Sequence, residues 1–574
     1  MADGEEHSPG RLSMEATTTD GLARNAALET RGAADHALTS VVVYDSRGHL
    51  LVNSSEPLEP ALAEKILETG LKCTFLVSRE QFTDVVLKSG PGNADLLEGR
   101  ITAFRGHLGD FRITLQRGDQ TIDAGALLGN GERGFDLVLD LSGNRLESRD
   151  VLPVGYYAPD TEKKFDEALA EIPQMVGEFE KPKYFRLDPD SCAHTSRGVV
   201  ACTRCLDVCP TLAITPGEES VVVDPYACQG IGICTTVCPT GAISYAYPRG
   251  SDLLDDLRRV LHRYHRGQGK RPALVFHTDV RGRDLLQRVI SRLPENLIPI
   301  EVESVTALGI EIWLSCLAYG AHHVFLLVTG DSPPGVTEPM EKEIKVAAII
   351  LAAMGYPDDR ITMLSTDVAD ELPELLPARI GKQLVTPAGF AGFDEKRTAI
   401  GLALDHFLEH AQRPVKSVSL PRGSCFGRVR VNRDDCTLCM SCVAVCPASA
   451  LLSGGELPRL EFLERNCVQC GMCEKACPEN AIELDARFDF DAQESGEARV
   501  VNEEDPFNCI KCGKSFSTQT MMTKIREKLS DHWMYQDESQ IRRLEMCENC
   551  RVEDMYAAGG GLDPHGKLDG SENQ

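Results

Sequence analysis

No apolar stretch in these 574 residues is long enough to cross a bilayer. The most apolar run, VAAIILAAMG from Val346 to Gly355, falls well short of the ~20 residues a spanning helix needs and reads as a buried helix. No membrane insertion is expected. The opening residues, MADGEEHSPGRLSMEATTTD, have no apolar core of the kind a secretory leader carries, which points to a reducing cytoplasm. Positive charge is also scarce: 60 Lys and Arg face 87 Asp and Glu, a formal net charge of -27. Such a surface repels nucleic acid, so docking partners are expected to be basic.

Phosphate-cradling loops are missing as well. The one G-x-G-x-x-G match, Gly129 to Gly134, leads into the strand-like FDLVLDL instead of opening a helix, and is read as a hairpin turn. The strand-like runs RPALVFHTD, NLIPIEVES, HHVFLLVTG and RITMLSTD alternate with helical runs at Arg283 to Leu293, Val305 to Tyr319 and Pro339 to Met354. That alternation predicts a parallel sheet with helices on both faces. His322 and His323, adjacent on one strand, face opposite ways and are assigned structural roles. Cys316 reads as a buried inert thiol.

Cysteine is abundant, with 22 residues. In a reducing compartment, clustered cysteines point to metal ligands before disulfides. The strings CTLCMSCVAVCP and CVQCGMCEKACP are full C-x2-C-x2-C-x3-C-P runs. Three thiolates on a tight loop can hold three corners of one cubane, while the fourth, turned by proline, reaches the neighbouring cluster. The crossing assigns Cys436, Cys439, Cys442 and Cys477 to one [4Fe-4S] cluster, and Cys467, Cys470, Cys473 and Cys446 to a second. Cys425 lies outside both runs and reads as a free thiol.

An altered copy precedes them: CAHTSRGVVACTRCLDVCP, then CQGIGICTTVCP. Val199 stands where the first run should begin, and Cys192 replaces it if the nine intervening residues loop back. One cluster then takes Cys192, Cys202, Cys205 and Cys238, a third [4Fe-4S]. The other takes Cys228, Cys234 and Cys209, with Ile231 at the missing corner. A side chain without a donor leaves either a [3Fe-4S] cluster, which we favour on ligand count, or an incompletely ligated [4Fe-4S] cluster. Near the end, Cys509 with Cys512 and Cys547 with Cys550 form two C-x2-C knuckles. They suit structural zinc, although 34 residues separate them; iron-sulfur is the alternative.

About three to five domains are expected at this length. The reading is a multidomain α+β and α/β chain: a disordered tail (1–36), an N-terminal α+β domain (37–150), a linker helix (151–185) and a first ferredoxin-like module (186–248). There follow a central parallel-sheet α/β domain (249–415), a second ferredoxin-like module (416–485), a linker (486–505), a four-cysteine metal-knuckle domain (506–556) and a second tail (557–574).

Taken together, CAHTSRGVVACTRCLDVCPTLAI, DPYACQGIGICTTVCPTGAISYAYP, PRGSCFGRVRVNRDDCTLCMSCVAVCPASAL and NCVQCGMCEKACPENAI resemble large bacterial ferredoxin-type iron-sulfur proteins. The resemblance runs from about Gly155 to Tyr556. It implies two dicluster modules around an α/β region and redox partners that include formate dehydrogenase components. The family is expected to carry CQGCG where this chain has CQGIG. The expected function is relay of single electrons between a dehydrogenase and a second redox partner, with no catalytic residue assigned. The alternative is a cluster-bearing oxidoreductase subunit whose catalytic cofactor lies in or near the central α/β domain. A third reading makes the clusters structural supports.

Overall fold

In a computed structural model, the described residues are 14–31, 40–89, 94–128, 133–376, 385–411, 416–455, 457–529, 532, 535 and 537–557. The G-x-G-x-x-G match falls partly outside them. The chain divides into two compact units: residues 1–194 with 203–414, and residues 195–202 with 415–574.

In the first unit, the apolar runs His49–Ser54 and Leu137–Asp140 are buried along their whole length and take interior places in a six-stranded sheet. There they pair in parallel with each other and, through Lys72–Ser78, with Ala94–Gly99. Only Val86–Ser89, at one edge, runs antiparallel. The N-terminal domain is therefore built on a mostly parallel sheet with apolar cores on both faces. The two strands of SVVVYDSRGHLLV do form, but they do not pair with each other. Val41–Ser46, with alternating burial, instead meets Gly177–Pro182, a strand inside the segment expected as the linker helix, whose helix covers only Glu162–Glu171.

The N-terminal segment expected as a tail contains a helix, Thr19–Leu28. Thr18 caps its first turn and Ala23 and Ala27 are buried. Asp20 accepts from the Tyr264 hydroxyl at 2.8 Å, and the backbone N–H of Thr18 donates to Glu295 at 2.8 Å. The sequence lacks apolar periodicity here because small alanines, not large side chains, make the contact.

The central domain has four parallel strands in the order Leu297–Glu301, Ala273–His277, His323–Val328 and Ile361–Ser365. Helices Arg281–Val289, Ile310–Ala318 and Thr337–Ala353 lie between them in sequence, and Lys396–Glu409 packs on Ile310–Ala318. The first cysteine-rich module, apart from residues 195–202, belongs to this same unit. Its strand pairs are Phe185–Leu187 with Ile243–Tyr245 and Ile214–Pro216 with Val221–Val223.

In the second unit, Ile482–Asp489 pairs with both Ser417–Ser419 and Gly427–Val431. The expected linker after residue 485 is strand as well: Arg499–Glu503 pairs with Arg459–Phe462. Buried Glu464 ties this region together through Arg487 and Arg499. The hairpin Thr195–Val200 also belongs here, and the Lys475 Nζ donates to its Val200 carbonyl at 2.9 Å. Among the described residues, no helix is long and apolar enough to cross a membrane.

Candidate iron-sulfur and metal sites

Each full ligand run in the second unit is wound the same way. Leu438 and Met440 stand at φ 55° and 61°, and Gln469 and Gly471 at φ 52° and 81°. These left-handed residues, two and four places after the first cysteine, curl the loop so that three thiols face inward. The third residue after each closing cysteine turns left-handed again: Ser449 at 48° and Asn480 at 51°. That turn aims a backbone N–H at sulfur, with Ala450 N to Cys446 Sγ and Ala481 N to Cys477 Sγ both at 3.3 Å. Such donors favour the thiolate.

The result is two separate cavities. One, of about 340 Å³, is lined by Cys436, Cys439, Cys442 and Cys477. The other, of about 350 Å³, is lined by Cys446, Cys467, Cys470 and Cys473. These are the same two sets of four that crossed ligation pairs. Burial pushes the Cys442 thiol up to about 12, with Cys436, Cys439 and Cys477 adding to it. Burial raises Cys473 as well, and Cys467, Cys470 and Cys446 add to that. Thiols so placed need a bound cation or cluster to ionise, and the enclosed all-sulfur donor sets fit iron-sulfur ligation.

The first module gathers Cys192, Cys205, Cys209, Cys228, Cys234 and Cys238 around Phe185, Ile214 and Ile243. Cys202 is not among them; it ends the segment grouped with the second unit, and its charge acts on Cys470 there. The loop CQGIGIC keeps the ligand-loop winding, with Gly230 at φ 75° and Gly232 at φ 77°, so Ile231 occupies the backbone place that Cys439 and Cys470 hold in the intact runs. The closing turns recur too, at Leu212 (49°) and Gly241 (81°). Burial raises the Cys234 thiol well above its usual range, and the neighbouring thiols Cys228 and Cys209 add to it. Beside them, the Lys181 Nζ donates to the carbonyls of Cys228 (2.6 Å) and Tyr226 (2.9 Å). Burial brings this ammonium down to about 8 against the pull of Cys228 and Asp224.

The terminal cysteines make a different object. The ligand atoms of Cys509, Cys512, Cys547 and Cys550 all lie within 4.8 Å of one another, and Cys512 Sγ is 3.7 Å from Cys547 Sγ. Four sulfurs ~2.3 Å from one tetrahedral ion would be separated by about 3.8 Å. A hairpin, Pro506–Asn508 with Ser515–Thr518, presents the first pair, and the helix Glu548–Ala557 carries Cys550 in its first turn. Burial opposes ionisation of Cys509, yet N–H groups of Cys547, Cys512 and Lys511 outweigh it and bring the thiol down to about 6.

His322 faces Arg360 Nη1 at 2.9 Å and His323 the Thr362 hydroxyl at 3.0 Å. Burial pushes the thiol of Cys316 up strongly. Cys425 is buried. Sequence reasoning missed a cleft of about 700 Å³, partly open to solvent and lined by Tyr245, Phe393, Val302, Glu303, Glu311 and Lys396. It missed Lys396 itself too, since no local motif marks either.

Comparison with known proteins agrees with the thiol geometry. Sequence profiles of the 4Fe-4S dicluster domain match residues 199–242 and 466–518, and a second such profile matches 435–482. The chain therefore carries 4Fe-4S dicluster domains of the ferredoxin type in both cysteine-rich blocks. The chain is 39% identical over 77 residues to the beta subunit of selenate reductase from Thauera selenatis, covering 13% of this chain and 22% of that one. It is 44% identical over 39 residues to a protein named ferredoxin 7Fe from Hydrogenibacillus schlegelii, 7% of this chain and half of that one. It is 31% identical over 64 residues to pyruvate synthase subunit PorD from Thermotoga maritima, 11% and 64% of the two lengths. The chain spans less than a quarter of the first of these relatives. The match over 466–518 reaches Cys509 and Cys512, but in space those thiols close with Cys547 and Cys550.

Proposed function

We propose that this chain relays single electrons between a dehydrogenase and a second redox protein through up to four iron-sulfur clusters. The observation that carries the reading is the pair of neighbouring cavities, each lined by four thiols drawn from both ligand runs. Iron-sulfur clusters supply one-electron uptake and release at potentials set by ligation, charge and hydrogen bonding. The chain's part is to hold the thiolates, exclude water with Leu438, Leu460, Phe462 and Ile482, and aim N–H groups at sulfur. No substrate-activating residue is required.

In the first module, Cys209, Cys228 and Cys234 hold a [3Fe-4S] cluster in our reading, because Ile231 offers no donor. Cys192, Cys205 and Cys238 serve the other cluster, with Cys202 assigned by spacing. The printed name of one relative counts seven irons, as a module of four plus three would. The terminal four-cysteine group is structural zinc, supported by its single-ion spacing. Partners present basic docking surfaces to a chain of net charge -27, with formate dehydrogenase as the candidate donor.

Iron, sulfide and zinc counts with electron paramagnetic resonance on anaerobically purified protein test the reading. About fifteen irons per chain, one zinc, and a trinuclear signal that vanishes on reduction are expected. Sixteen irons without that signal would overturn the trinuclear assignment.

A second reading, an oxidoreductase subunit with its own cofactor, is favoured by one observation. The 700 Å³ cleft lies beside Val302 and Glu303, just past the carboxyl end of Leu297–Glu301, where open parallel sheets bind ligands. Flavin released from the purified protein by denaturation would promote it.

A further inference from the structure

The helix Lys396–Glu409 begins with a lysine that is only 6% exposed. Burying an ammonium is costly unless it is paired and hydrogen-bonded, so its partners are informative. The Lys396 Nζ donates to the carbonyls of Thr235 (2.9 Å) and Thr236 (2.7 Å), and Glu311 Oε2 lies 3.4 Å away. Thr235 and Thr236 sit in the short helix Ile233–Val237, directly after Cys234 and just before Cys238. The turn that follows Cys238-Pro239 rests on the same side chain: a Cβ on Gly241 would come within 2.8 Å of the Lys396 Cβ. The positive charge therefore underlies a segment that supplies a thiol to each cluster of the first module.

That segment is fixed to the central domain at further points. The Thr235 hydroxyl donates to the Ala307 carbonyl at 3.1 Å and the Thr236 hydroxyl to the Thr306 carbonyl at 2.7 Å. The ammonium cannot drift away from the ligand helix without breaking this packing. Its counter-charges are two carboxylates. Glu311 is the direct ion-pair partner, and buried Glu343, 4.0 Å from Arg204, is the next carboxylate.

We propose that Lys396 raises the reduction potential of the first-module clusters by placing a fixed positive charge behind Cys234 and Cys238. Reduction adds one negative charge to a cluster, and a nearby cation in a poorly screened interior stabilises the reduced form more than the oxidised one. Glu311, the paired anion, offsets part of that effect. The two side chains thus act on the potential with opposite signs, which a purely structural role for either would not produce. Lys396 is a positioning and tuning residue, acting through the ligand helix by its charge. The inference rests on the reading of Cys234 and Cys238 as cluster ligands.

The test is a redox titration followed by electron paramagnetic resonance on the whole chain, with iron counted in each variant. First-module signals are identified as those lost in Cys234→Ser or in Cys238→Ser; if these variants lose neither signal nor iron, the ligand reading fails and this inference falls with it. With the ligand reading intact, Lys396→Met should shift the reduced-to-oxidised ratio of those signals about tenfold toward oxidised at fixed potential, equal to about 59 mV for one electron. Glu311→Gln should shift it the other way, at unchanged iron content. Should Lys396→Met lose iron, Glu311→Gln decides alone, because it leaves both carbonyl bonds in place. No shift in Glu311→Gln, or shifts of the same sign in both variants, overturns the proposal.

Discussion

The Ser304 hydroxyl donates to the Ile231 carbonyl at 2.6 Å, and the Thr306 hydroxyl bonds the same oxygen. The corner of the ligand loop without a thiol is thus held in place by the central domain, with the left-handed winding of the intact runs retained on both sides. The loop has lost a donor atom, not its shape.

A cysteine returned to this position should therefore find its backbone already placed. Ile231→Cys is expected to add one iron per chain and remove the trinuclear signal, with the other signals unchanged. Iron analysis and electron paramagnetic resonance check it; unchanged values would mean that this corner is filled by something other than a missing thiolate.

The terminal four-cysteine group predicts a different loss. Cys547→Ala should release about one zinc per chain and no sulfide, because four thiols within 4.8 Å suit a single ion. The hairpin from Pro506 to Thr518 and the helix from Glu548 should lose protection against proteolysis, while the cluster signals persist. Parallel loss of iron and sulfide would make the site a cluster instead.

His277 gives a signed pH effect. It is buried at the carboxyl end of its strand, and burial brings its imidazole down to about 4, against a backbone bond to Thr278 and the Glu301 charge that favour protonation. Between pH 6.5 and about 4 the unfolded chain binds the proton and the folded one does not, so stability falls as pH falls through that window. From about pH 7 to about pH 5.5 the contribution amounts to about 1 kcal/mol lost. Urea unfolding at the two pH values should show a smaller difference in His277→Gln.

The acidic surface predicts a salt dependence. Electron transfer to a basic single-haem test protein should slow as ionic strength rises from about 0.01 M to about 0.15 M, where the screening length shrinks from ~30 Å to ~8 Å. An acidic test protein should show the reverse. Stopped-flow rates distinguish the two, and a salt-independent rate with both would exclude electrostatic steering.

The two groups of four cysteines that line the second unit's cavities were legible in the sequence because the loop geometry is local. Three thiols and a proline within twelve residues, with turns that need only a left-handed residue at set places, define a loop wherever it is put. The crossed pairing followed from the same spacing, and the parallel sheet of the central domain from alternating apolar runs. The strands at 486–489 and 499–503 were read as linker because their partners, Ser417–Ser419, Gly427–Val431 and Arg459–Phe462, lie far away in sequence and strand pairing leaves no mark within one strand. The helix at Thr19–Leu28 was missed because its stability comes from caps and contacts at Glu295 and Tyr264.

What the sequence alone determined is the inventory of donors and the conformation of each loop that carries them, since both depend on neighbours a few residues apart. What only the tertiary structure decided is the setting of those loops: the Ser304 and Thr306 hold on Ile231, and the Lys396 ammonium beneath Thr235 and Thr236, which are 161 and 160 residues distant in the chain. Electrostatic and packing terms act through space, so residues that fall silent in a linear reading become neighbours once the α/β domain closes on the cysteine helix.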